Sequence, residues 1–95
     1  MSELETLRLP NRFDYSFHRQ FGELYSPLIE NLSCKEIILD FTQVEYLDSS
    51  ALGMMVLLQK KLSTNNKKIR IKGARGATEE ILKMANMQKI FEFIK

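Results

Sequence analysis

The amino-acid sequence predicts an α/β domain built on a single mixed β-sheet, with helices packed mainly on one face and elements in the order β-α-β-α-β-α-β. Three observations carry this expectation. Short apolar, β-branched runs alternate with longer runs of helical period along the whole chain, with no repeat and no internal linker. Ala51, Met55, Leu58 and Leu62 recur at i, i+4, i+7 and i+11, one stripe of a 3.6-residue period. Lys68-Ile69-Arg70-Ile71-Lys72 alternates strictly, which describes a strand with one buried face and one basic face in water. A sheet covered on both faces more often has continuously apolar strands.

The elements follow in order. Leu4 to Leu9 forms a first strand, with Leu7 and Leu9 on one face, stopped by Pro10-Asn11, where Asn11 tolerates a left-handed backbone. Asp14 or Ser16 caps a helix in which Phe17, Phe21, Leu24, Leu28 and Leu32 keep helical spacing, and Pro27 inside that pattern predicts a kink or restart. Ile37-Ile38-Leu39-Asp40-Phe41 is the core of a strand over 36–41, and Val44-Glu45-Tyr46-Leu47 follows with partial alternation. A helix over about 50–63 ends in the turn Ser63-Thr64-Asn65-Asn66, and the strand 68–72 comes next. Gly73 to Gly76 is a loop, Thr78 caps a helix carrying Ile81, Leu82 and Ala85, and Ile90 to Ile94 is the last strand.

Length and composition narrow the function classes. Ninety-five residues with 44% hydrophobic and 27% charged side chains make one domain over 1–95 with a single core. The longest nearly unbroken apolar stretch, Ala51 to Leu58, is far shorter than the ~20 residues of a membrane span, so no direct membrane insertion is expected. Met1 to Glu5 is acidic and unlike a signal peptide, and a cytoplasmic location is expected. The single cysteine, Cys34, has no disulfide partner, and with His18 alone it makes no zinc site; Cys34 reads as a buried small residue and His18 as a helix-surface residue. Residues 1–48 hold four basic against nine acidic side chains, net −5, whereas residues 49–95 hold ten against three, net +7. A basic half is a weak hint of nucleic acid, but Phe91 and Phe93 alternate as core residues rather than forming a stacking platform, so no nucleic-acid partner is expected.

The sign changes at Asp48-Ser49-Ser50, the residues between the strand ending near Leu47 and the apolar helix. Asp and Ser there satisfy free N–H groups of a helix's first turn. Those N–H groups and the positive end of the helix dipole equally favour a phosphate on Ser49. Spacing alone is compatible with both roles, cap or phosphoacceptor, and favours the cap. A catalytic serine is disfavoured because the one histidine lies 31 residues earlier on another helix, so Ser49 has no evident base. Neither G-x-x-x-x-G-K-[ST] nor G-x-G-x-x-G occurs, and no cofactor is expected; a phosphate must be delivered by another protein.

The motifs carry a resemblance over nearly the whole chain. Arg12-Phe13-Asp14-Tyr15-Ser16 resembles the G-x-F-D turn, Ile37 to Phe41 the central strand, Tyr46 to Gly53 the D-S-[ST]-G-L-G phosphorylation motif, and Met87 to Phe91 the closing segment of the STAS domain. The similarity is to the small single-domain bacterial anti-sigma factor antagonists. Ala51 and Asn11 stand where that family has glycines. Relative to the family pattern, a further N-terminal strand and a C-terminal helix are expected to be absent. The resemblance implies the STAS fold, no enzymatic activity of its own, and partner switching in the control of transcription. In that scheme the unphosphorylated antagonist binds an anti-sigma factor that is also a serine kinase with a histidine-kinase-like ATPase fold. That kinase phosphorylates the antagonist, and a PPM-type serine phosphatase reverses the modification. The motif aligns Ser49 as acceptor, with Ser50 as the lesser candidate, and places Asp14, Asp48 and Ala51 around it. An alternative in the same fold family is an accessory subunit of an ABC-type lipid or anion transporter.

The helix after Ser49 offers a docking face. Ser50, Met54, Leu57 and Lys61 form a second stripe beside the core stripe, with Gly53 on the same side, and flexible methionine suits an adaptable contact. The competing reading assigns the apolar members of this stripe to the core. A phosphate adds about −1.5 to −2 charge, which a helix N-terminus tolerates, so the expected switch acts at the interface and not by refolding.

Overall fold

The computed structural model describes residues 3–94. Its elements are β1 (Leu4–Arg8), β2 (Arg12–Phe13), α1 (His18–Glu30), β3 (Glu36–Asp40), β4 (Tyr46–Leu47), α2 (Ser49–Thr64), β5 (Lys68–Lys72), α3 (Gly76–Met84) and β6 (Glu92–Ile94). Single 3-10 turns, Tyr15–Phe17 and Met87–Lys89, precede α1 and β6. The main sheet has the order β1-β3-β5-β6, and β2 and β4 form a separate two-stranded ladder. The α/β class therefore holds, with two corrections to the single mixed sheet expected: among the described residues every strand pair is parallel, and the short strands β2 and β4 add a ladder apart from the main sheet.

This strand order explains why one face is bare. Each crossover moves one strand further in the same direction, and right-handed connections of that kind put all three helices on one side. Ile37, Leu39 and Ile71 face that side and join the core with Phe13, Phe21, Met55, Leu58, Leu62 and Leu82. The other side carries the alternate residues, and two ion pairs cross neighbouring strands there. Arg70 is paired with Glu36, and Arg8 lies 4.0 Å from Asp40. Burial pushes the Asp40 carboxyl up, but hydrogen bonds from the Thr42 hydroxyl and amide, with Arg8 and Lys72 nearby, hold it below its ordinary value overall.

The α2 stripe of Ala51, Met55, Leu58 and Leu62 is fully buried, as the periodicity requires. Other expectations are corrected. The helix 18–30 is preceded by a 3-10 turn and runs through Pro27 without restarting, Pro27 lying on its exposed side. Its core face is Phe17, Phe21 and Tyr25, flanked by Leu28 and Ile29; Leu24 is on the exposed side, and Leu32 lies beyond the helix end, 86% exposed. Asn11 is not left-handed; Asn66 and Asn86 are, with φ of 59° and 62°. Asn11 instead joins the β2 and β4 approaches, its side chain donating to the Glu45 carboxylate (2.9 Å) and its carbonyl accepting from the Glu45 amide (2.8 Å). Thr78 does not cap α3, which begins at Gly76; it is buried and donates its hydroxyl to the Val44 carbonyl, 3.2 Å away. The last strand starts at Glu92, two residues later than the apolar run suggests. No helix among the described residues is long and apolar enough to cross a membrane.

Gly73, with φ of +78°, turns the chain from β5 towards α3 beside Thr42. A Cβ on Gly73 would lie 2.7 Å from the Thr42 hydroxyl and 3.2 Å from its backbone nitrogen. Gly73→Ala is therefore expected to cost about 1–3 kcal/mol through backbone strain and the close approach. Urea unfolding measures it; an unchanged midpoint would count against this turn geometry.

Candidate functional site

The β2–β4 ladder positions the site. Arg12 pairs with Tyr46 and Phe13 with Leu47 in parallel register, so Asp14 and Asp48 leave the two strands at the same level. Phe13 and Leu47 point into the core and hold the ladder down. Each aspartate then caps the element that follows. Asp14 Oδ1 accepts from the Ser16 amide (3.0 Å) at the 3-10 turn, and Asp48 Oδ1 accepts from the Ala51 amide (3.0 Å) at the start of α2. The chain thus uses one device twice, an outward residue, a buried residue and a capping aspartate, on adjacent strands.

Because Asp48 takes the cap, Ser49 does not have to. Ser49 is the first helical residue, exposed, and its hydroxyl makes no hydrogen bond among the described residues. Ser50 is half-buried and Ala51 fully buried, packed where the first turn meets the core. The first turn of α2 contains no acidic residue, so its exposed N–H groups are uncompensated apart from Asp48. Of the two serine-site roles open in the sequence, the cap falls to Asp48, and the Ser49 hydroxyl is left exposed.

Asp14 is tied on both oxygens. Its Oδ2 meets Arg12 Nε at 2.7 Å, and its Oδ1 also accepts from the Ser16 hydroxyl. That hydroxyl, and after it the Arg12 guanidinium and Ser16 amide, hold the Asp14 carboxyl below its ordinary value against an opposing desolvation. The Arg12 guanidinium carbon lies 4.4 Å from the centre of the Tyr46 ring. Neither Arg12 nor Tyr46 stands out in the sequence as a site residue. The signal was available in Arg12-x-Asp14, since residues two apart on a strand share a side.

The second stripe of α2 is divided by the fold. Gly53 and Lys61 are exposed, and Leu57 is 50% exposed, but Met54 is only 9% exposed and joins the core cluster. Met54 and Leu57 line a cavity of about 160 Å³ against His18, Phe21 and Tyr25 of α1. Lys61 Nζ lies 5.7 Å from the Tyr25 ring centre. His18 is exposed and stacks on Tyr15, ring centres 5.0 Å apart, while Cys34 is fully buried.

Comparison with known proteins places this arrangement. The chain is 29% identical over 87 residues to a STAS-domain containing protein of Pseudomonas aeruginosa (strain UCBPP-PA14), covering 92% of this chain and 84% of that protein. Among solved structures it resembles the anti-sigma factor antagonist SpoIIAA in its unphosphorylated form, with a TM-score of 0.77 at 17% identity, over 100% of this chain and 82% of that one. The phosphorylated form of the Bacillus protein superposes with a TM-score of 0.74 at 16% identity, over 100% of this chain and 86% of that one. A sulfate transporter family protein from Wolinella succinogenes matches with a TM-score of 0.78 at 15% identity, over 92% of this chain and 70% of that one. At these identities the structures speak for the fold. Residues 2–94 match the family model described as Mlab, STAS domain, and with its parallel sheet and its capped Asp-Ser-Ser helix start the chain belongs to the STAS-domain family.

Proposed function

We propose that this chain is an anti-sigma factor antagonist controlled by phosphorylation of Ser49. The observation that carries the reading is the separation of roles at the start of α2, where Asp48 caps the helix and leaves the Ser49 hydroxyl exposed and unengaged. The fold shared with SpoIIAA in both its phosphorylated and unphosphorylated forms supports it. In the cytoplasm the unphosphorylated chain binds an anti-sigma factor or related regulator that is also a serine kinase with a histidine-kinase-like ATPase fold. That kinase transfers the terminal phosphoryl group of ATP to the Ser49 oxygen, releasing ADP and the hydroxyl proton, and a PPM-type phosphatase hydrolyses the ester. The chain is ligand and substrate in this cycle, not catalyst.

The phosphate acts on the interface. At the helix N-terminus it is favoured by about 0.3–1 kcal/mol, which leaves the fold in place. Against a partner surface shaped for a neutral serine, like-charge juxtaposition and lost solvation cost several kcal/mol. Incubating the domain with ATP and lysate from the source cells, then measuring intact mass, tests the first step. A gain of one phosphate in the wild type and none in Ser49→Ala is expected. No gain, in a lysate with demonstrated kinase activity, defeats the reading.

A second reading, an accessory subunit of an ABC-type lipid or anion transporter, is favoured by the fold shared with the sulfate transporter family protein. It predicts co-purification with a membrane-embedded transporter that persists in Ser49→Ala.

A further inference from the structure

We propose that Arg12 is the receptor for the phosphate on Ser49, a role that rests on the reading of Ser49 as phosphoacceptor. The argument is one of position, free valence and charge. Arg12 sits directly across the ladder from Tyr46, three residues before Ser49. Its side chain reaches forward along β2, since its Nε meets the carboxylate of Asp14, two residues further on. That is about 6.6 Å of strand. The guanidinium is thus drawn towards Asp14, which leaves β2 level with Asp48, the residue before Ser49. It also lies over the ring of Tyr46, the residue opposite it on β4, with 4.4 Å between the guanidinium carbon and the ring centre. β4 is the strand that leads into Ser49.

The head group is held but not used up. Nε is engaged by Asp14 and one face of the plane by Tyr46, while the two terminal amino groups make no hydrogen bond among the described residues. Two parallel N–H donors on a guanidinium match two phosphate oxygens. Prior anchoring by Asp14 and Tyr46 reduces the side-chain entropy lost when phosphate is bound.

Charge supplies the need. Over residues 11–16 and 45–50, the two segments that meet here, the anions are Asp14, Glu45 and Asp48, and the one cation is Arg12. Glu45 is turned to Asn11, and Asp14 and Asp48 flank the acceptor. A dianion on Ser49 adds to two carboxylates, and the α2 amides alone offset it only modestly. Arg12 supplies the missing positive charge and fixes the phosphate in one orientation on the surface that a partner must read.

The test uses the whole domain with phosphoserine installed at position 49 during translation, so that no cellular kinase is needed. Phosphorus NMR follows protonation of the phosphate dianion, ordinarily near pH 6. Arg12→Gln is expected to raise the pH of that protonation by about half a unit or more relative to the wild type, because it removes the charge that favours the dianion. Arg12→Lys, which keeps charge but not the fork, should fall between them, and Arg8→Gln, on the far face beside Asp40, should match the wild type. Equal titrations of wild type and a folded Arg12→Gln overturn the proposal. So does an unshifted Arg12 side-chain N–H resonance when phosphorylated and unphosphorylated wild type are compared, a readout that needs no variant. Failure of the lysate experiment would remove the proposed kinase but leave this titration standing, so the two outcomes are separable.

Discussion

Phe13→Ala is expected to lower the stability of the domain by about 3–5 kcal/mol, a large part of the ~5–15 kcal/mol typical of small domains. Phe13 is fully buried and packs edge-on against Phe17, Phe21 and Phe41, with ring centres 5.9, 5.5 and 6.2 Å away. It therefore joins β2 to the 3-10 turn, to α1 and to the end of β3. Truncation removes the ring's buried area and leaves a cavity that three aromatic neighbours cannot close at once. The effect reaches the site, because a ladder of two residue pairs is too short to persist on backbone hydrogen bonds alone. With Phe13 gone, the register that sets Asp14 beside Asp48 loses its anchor. Urea unfolding should show the lower midpoint, and the protonation of phosphoserine installed at position 49 should lose its dependence on Arg12 in the folded fraction. A loss of less than 1 kcal/mol would mean that Leu47 alone fixes the ladder.

The residues that were legible in the sequence are those whose burial follows from periodicity. The α2 stripe and the alternation of Lys68 to Lys72 each declare an element and its buried side, and the strand order then needs only the short right-handed connections common to such chains. The β2–β4 ladder was not legible as a pair, since two residues are too few to show a period. Its strength comes from Phe13 and Leu47 dropping into a core assembled by other elements. Parallel pairing throughout is a property of crossovers, not of any local run. On α1, Phe17, Phe21 and Leu28 meet the core as their spacing requires, while Leu24 and Leu32 outrank Tyr25 on hydropathy although the stepping by four from Phe17 through Phe21 leads to Tyr25. Thr78 has the composition of a cap, but tertiary contact with the Val44 carbonyl claims its hydroxyl.

At the site, the motif names Ser49 and Asp48 but does not say which of them caps α2. Asp48 does so because its extended backbone (φ −120°, ψ −176°) lets its carboxylate reach the Ala51 amide. Arg12 stayed hidden for a related reason. Its meaning comes from Tyr46, 34 residues later, and only the parallel register brings the two together. Local chemistry is legible when the partners are neighbours in sequence, and illegible when the fold chooses them.

Leu57→Glu is expected to abolish docking to the proposed anti-sigma kinase while leaving the domain folded, and Met54→Glu is expected to unfold it. The two residues belong to one stripe on α2, and burial separates them. Leu57 is half-exposed, so a carboxylate there stays in water and changes stability by no more than about 0.5 kcal/mol. In the proposed interface it would meet apolar partner surface close to the serine. Burying an unpaired charge there costs several kcal/mol, and at ~1.4 kcal/mol per decade the affinity falls by about a hundredfold or more. Met54 is nine-tenths buried between α2 and α1, so a carboxylate at 54 meets that cost in the folded monomer itself. Circular dichroism separates the folded from the unfolded variant, and calorimetric titration of the purified kinase into each folded form measures docking. Phosphoserine at 49 in the wild-type background should weaken binding to a similar degree through charge. If Leu57→Glu binds as tightly as the wild type while phosphoserine 49 still blocks, the partner approaches from the Arg12–Tyr46 side of Ser49, and the exposed face of α2 is not its dock.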